Sequence, residues 1–135
     1  MNRAFAIAIL FTLLAISPSS AEEHPTFQSL WDRVTSDPDC KPTEYADFIL
    51  VKCPASLTFW YFTKPNHAAH PGVIQRVLSQ QPDGSWVATE HGSSFASDAA
   101  QSAFTAWLAQ IADLDRQMKD DIARRHAMQP QQNQN

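Results

Sequence analysis

The chain has 135 residues, 44% of them hydrophobic, and a formal net charge of −4, which suits one domain with a single modest core. Its mild acidity argues against nucleic acid and anionic membrane surfaces as partners. Past the first residues, no run is long and apolar enough to span a bilayer.

The chain opens MNRAFAIAILFTLLAISPSSA. Arg3 makes a short positive start, and Ala4 to Ile16 an apolar run too short for a spanning helix. Pro18 breaks that run, and Ser19-Ser20-Ala21 offers the small residues a signal peptidase requires. The expectation is a signal peptide over residues 1–21, cleaved after Ala21, and a mature chain from Glu22 that is periplasmic or secreted. Loss of Arg3 with the leader moves the net charge from −4 to −5. Residues 22–127 are expected to form one α+β domain. Residues 128–135, rich in Gln and Asn, are expected to form a disordered polar tail.

Phe27, Leu30, Trp31 and Val34 follow the i, i+3, i+4, i+7 spacing of an amphipathic helix. Pro25 suits its first turn, and Asp37-Pro38-Asp39 stops it. Cys40 and Cys53 follow. In an oxidising compartment such a pair is a disulfide, and closing a loop of this size adds about 3 kcal/mol in the chain-entropy model. The spacing lacks the CxxC of zinc thiolates.

Phe48 to Cys53 and Leu57 to Thr63 are rich in β-branched and aromatic residues. Pro54-Ala55-Ser56 separates them, which predicts a hairpin. Both runs are almost continuously apolar, as strands buried on two faces would be. Trp60, Tyr61 and Phe62 would line an open aromatic surface only if one face were left bare. A second hairpin is expected from Val73–Ser79 and Trp86–His91 around Gln81-Pro82-Asp83-Gly84. Ser97 to Met128 then reads as one long helix, with Asp98 and Gln101 resembling a capping box. Phe104, Trp107, Leu108, Ile111, Leu114, Met118 and Ile122 form its apolar stripe.

The predicted architecture is therefore α+β: a four-stranded antiparallel meander flanked by a short N-terminal helix and a long C-terminal one. A helix of about 30 residues spans about 45 Å and a seven-residue strand about 23 Å. The C-terminal half of the helix must overhang the sheet. Leu114, Met118 and Ile122 are expected to pack on the first helix, on a second copy in a homodimer, or on a partner. The disulfide also requires residues 40–46 to double back, either as Lys41–Tyr45 running beside the first strand or by shortening that strand.

Candidate chemistry centres on the segment FTKPNHAAHPGV, residues 62–73. His67 and His70 have helical metal-pair spacing, yet Pro71 after His70 and Pro65 before the pair disfavour a helix. With His91 they would make three imidazoles, the minimum for a zinc site. Lys64, His67, His70, His91 and Arg76 would instead suit a carboxylate or phosphate. The mature N-terminus, Glu22-Glu23-His24, has the amine-to-His24 spacing that wraps Cu(II) or Ni(II) in a square plane. No obligate cofactor is implied, with zinc or copper the candidate metals. No GxSxG, HExxH, phosphate-loop or dinucleotide motif occurs. A hydrolase would have to use His67 or His70 as base.

The phrase YFTKPNHAAHPG, residues 61–72, resembles one in small uncharacterised secreted or periplasmic proteobacterial proteins. The resemblance covers one short segment. It implies an envelope address and carries no activity. Together these features read as a small exported binding module, stapled by one disulfide, for an envelope protein or a small anionic ligand. The alternative is a periplasmic metal-binding protein.

Overall fold

The computed structural model describes residues 24–128. The elements in chain order are α1 (Phe27–Thr35), β1 (Lys41–Glu44), β2 (Phe48–Cys53), β3 (Thr58–Thr63), β4 (Gly72–Gln80), β5 (Trp86–Ser94) and α2 (Asp98–Met128). The five strands form one antiparallel meander in sequential order. The fold is α+β, as expected, but with five strands rather than four. The additional strand, β1, is the segment that the disulfide draws back. Cys40 precedes it and Cys53 ends β2, with their Cα atoms 4.2 Å apart, and Lys41 lies opposite Lys52. Pro42 sits in this edge strand, where a missing N–H does no harm.

The pleat sorts side chains to two faces. Val51, Phe62 and Val73 point to one, where Leu30 and Val34 of α1 cover them. Leu50, Tyr61 and Ile74 point to the other, under Phe104, Trp107 and Ile111 of α2. The helices thus lie on opposite faces of the sheet. This corrects the expectation that the overhang of α2 packs on α1: the sheet stands between them, and Leu114 is 48% exposed. The side chains of Met118 and Ile122 lie outside the described residues.

Local chemistry explains the ends of the elements. Thr26 caps α1: its Oγ1 accepts from Ser29 N–H at 3.1 Å, and Ser29 Oγ accepts from Thr26 N–H at 2.8 Å. Pro25 therefore precedes the cap rather than filling the first turn. At α2 the Asp98/Gln101 box is replaced by a bond from Gln101 Nε2 to Ala96 O, 3.4 Å. In the β4–β5 turn Gly84 adopts φ +84°. Asp83 there accepts from Ser85 Oγ at 2.6 Å and Ser85 N–H at 2.9 Å. These bonds, the hydroxyl first, hold the Asp83 carboxyl below its ordinary value. Its folded value lies under its unfolded one, so the support exists at neutral pH and fades as acid protonates the folded carboxylate.

One close approach seats α2. A Cβ at Gly92 would lie 2.9 Å from the Phe104 ring and 3.1 Å from Leu108, and one at Gly72 would lie 2.8 Å from Phe104. The two glycines leave the hollow that the Phe104 ring fills.

Two outcomes follow. Gly92→Ala lowers stability by about 1–3 kcal/mol through overpacking, measured by urea denaturation; an unchanged midpoint would show that Phe104 moves freely. Cys40→Ser/Cys53→Ser costs about 3 kcal/mol by the same assay.

Candidate functional site

The segment after β3 is a loop of tight turns, not a helix. His67 N–H donates to Lys64 O at 2.9 Å and His70 N–H to His67 O at 3.0 Å. The loop is tied to the β1–β2 turn: Lys64 N–H donates to Asp47 O at 2.8 Å and Asn66 Nδ2 to Ala46 O at 3.1 Å. Lys64 Nζ lies 3.3 Å from Glu44 Oε2 and donates to Tyr45 O at 3.0 Å. The cation is thus shared with a carboxylate, more than the sequence suggested.

Thr63, buried at the end of β3, anchors the other side. Its hydroxyl donates to Gly72 O at 3.0 Å and accepts from Gly72 N–H at 2.8 Å. His70 Nδ1 lies 3.1 Å from that oxygen and 3.0 Å from Thr63 O. The hydroxyl proton is committed to Gly72 and a carbonyl only accepts, so Nδ1 carries the imidazole proton. Among the described residues no hydrogen bond engages Nε2, which, once protonated, can donate to a bound carboxylate. The His70 ring meets Phe27 edge-on, centroids 5.3 Å apart. It borders a cleft of about 390 Å³ walled by Phe27, Trp31, Ile49 and Phe62, with Lys64 alongside.

His67 belongs to the opposite face. Its ring lies 4.7 Å from that of Trp107 in α2. Nδ1 accepts from Ala69 N–H at 3.0 Å, and Nε2 is 3.8 Å from Asp47 Oδ2. In neutral His67 the one lone pair is already used, so the ring has no free basic nitrogen. A second cleft, about 480 Å³, opens here between α2 and the sheet. Phe48, Tyr61, Trp107 and Leu114 make its apolar wall, with Asp47 and Asp113 among its polar groups.

The structure does not gather the three histidines. His67 lies on the α2 side, and His70 packs against α1. His91 is exposed in β5 opposite Gln75. Because β5 continues to Ser94, His91 sits three residues, about 10 Å, in from the end beside the loop. Among the described residues no group of three or more His, Cys, Asp or Glu is placed to hold a metal ion. Arg76 does not join Lys64 either: it is buried in β4, and its Nε lies 3.6 Å from Glu90 Oε1. His24 is exposed, while Glu22 and Glu23 lie outside the described residues.

Sequence reading missed Thr63 as an anchor, Phe27 and Trp31 as cleft walls, and Trp107 as the partner of His67. Alternation along β3 did carry one signal: Tyr61 and Phe62 had to face different layers. No model of a known protein family, no curated protein and no solved structure matches the chain.

Thr63→Val leaves the buried Gly72 peptide groups without their partner and costs about 2–4 kcal/mol, whereas Thr63→Ser costs about 1 kcal/mol or less. Urea melts of both variants test this; equal losses would mean that the methyl, not the hydroxyl, matters.

Proposed function

We propose that this protein is a small exported binding module whose ligand is an organic acid with a flat apolar body, held in the cleft between α1 and the loop after β3. The observation that carries this reading is the placement of His70. Two acceptors on Thr63 fix its ring and leave Nε2 unengaged beside an aromatic-walled cleft. Phe27 and Trp31 offer ring faces and edges for an apolar body. Lys64 borders the same cleft, and its ammonium, already bonded to Glu44 and Tyr45 O, has a third N–H to donate to an acidic group.

The α2-side cleft fits an anion less well. Asp47 and Asp113 line it, and their charge would repel an acid. The export address rests on the N-terminal pattern and is supported by the Cys40–Cys53 disulfide. Among the described residues no helix is long and apolar enough to cross a membrane. N-terminal sequencing of the exported protein is expected to begin at Glu22.

Titration with aryl carboxylates such as benzoate, followed by NMR, is expected to shift the Trp31 indole and His70 imidazole resonances saturably. His70→Ala and Lys64→Met each weaken binding about tenfold or more, the loss of one charge-assisted hydrogen bond. Resonances that do not move, or affinities unchanged in both variants, would overturn the assignment.

A further inference from the structure

We propose that the outer edge of β5 is an interaction surface and that its occupant is a second copy of this chain, joined β5 to β5 in antiparallel register. The inference is independent of the ligand cleft and rests on the backbone.

Two bonds fix the phase of the β4–β5 ladder. Gln81 N–H donates to Ser85 O at 2.7 Å, and Phe95 N–H donates to Pro71 O at 2.9 Å. Both pairs extend the register that runs from Gly72↔Ser94 to Gln80↔Trp86. In an antiparallel ladder every second pair exchanges both hydrogen bonds. The bonded pairs are therefore Ser79/Val87, Val77/Thr89, Gln75/His91 and Val73/Ser93. The N–H and C=O groups of Trp86, Ala88, Glu90, Gly92 and Ser94 face the other way, outward from the sheet. Among the described residues no strand pairs with this edge.

The two edges of the sheet are treated differently. β1 is four residues long and carries Lys41 and Pro42, the short length and residue types that discourage strand addition. β5 is nine residues long, WVATEHGSS, and contains neither Pro nor Lys. It exposes Trp86 by 47% and Val87 by 38%. Its one carboxylate, Glu90, is turned inward, within 3.6 Å of Arg76, with a side chain only 15% exposed. The edge thus offers a row of backbone donors and acceptors, exposed apolar side chains and little outward charge.

A second β5 supplies the complementary row, and charge selects its register. A two-fold axis through Glu90 would set two glutamates face to face, which is unfavourable. An axis through His91 would leave Trp86 and Val87 beyond the paired region. An axis through Thr89 places Trp86 opposite Gly92 and Ala88 opposite Glu90, each twice. It also pairs Val87 with His91 and Thr89 with Thr89. This register uses the exposed apolar end of the strand and joins two five-stranded sheets into one continuous sheet.

The test is the mass of the purified, oxidised, exported protein by sedimentation equilibrium across a concentration series. A dimer is expected. Thr89→Lys, an exposed change, sets two ammonium groups opposite each other at the axis. Ala88→Pro removes an outward N–H that β4 does not use. Both variants are expected to be monomeric with unchanged far-UV circular dichroism, and Leu114→Arg is expected to remain dimeric. If Ala88→Pro misfolds, Thr89→Lys decides alone. A wild-type protein monomeric at every concentration overturns the proposal. So does a dimer that survives Thr89→Lys, or one that Leu114→Arg dissolves, which would put the interface on α2.

Discussion

Tyr61 and Phe62 are neighbours in sequence and lie under different helices, and that division organises the molecule. β3 is the middle strand of five, with a helix over each of its faces. A strand so placed must be apolar on both faces, and its backbone groups must find partners in β2 and β4. Each helix then has its own cluster of apolar partners. One comprises Leu30, Val34, Val51, Phe62 and Val73, the other Leu50, Tyr61, Ile74, Phe104 and Trp107. The disulfide closes the side of the first cluster, where Cys40 and Cys53 are themselves buried.

The loop after β3 inherits this division. It leaves the central strand at its end, where both layers are within reach. His70 turns to Phe27 of α1 and His67 to Trp107 of α2. Two histidines three residues apart therefore serve two clefts separated by the sheet. The same geometry opposes a shared metal and favours separate roles. His67 closes the gap between loop and helix, with both ring nitrogens directed at protein groups. His70 has one nitrogen spent on Thr63 and the other without a hydrogen-bond partner among the described residues. Chemical identity was equal at the two positions; the hydrogen-bond partners made them different.

Much of the secondary structure was legible because it rests on periodicity and turn chemistry. The apolar spacing of Phe27, Leu30, Trp31 and Val34 marked α1, and Pro-Asp-Gly marked the β4–β5 turn. The stripe from Phe104 marked α2. β1 was not legible from pattern: Lys-Pro-Thr-Glu has no strand signal, and its four residues are exposed. Its formation follows from the Cys40–Cys53 bond, a long-range constraint that only suggested a returning segment. The overhang of α2 was legible from length. Its relation to α1 was not, because an apolar stripe does not say which face of a sheet it will cover.

The candidate site divides in the same way. Lys64 and His70 stood out as residue types able to bind, and both border the α1-side cleft. Two walls of that cleft, Phe27 and Trp31, come from α1, more than 30 residues upstream, and no local pattern links them to the loop. The sequence by itself determined the two helices and every strand but β1, which cysteines pair and which loop carries His67 and His70. Those depend on local periodicity, proline and glycine geometry, and composition. Only the tertiary structure decided that the helices lie on opposite faces, that His67, His70 and His91 stay apart, and that β5 is an edge strand among the described residues. Those outcomes depend on which apolar surface each element finds after the chain has folded back, and contacts between distant residues leave no mark in short-range order.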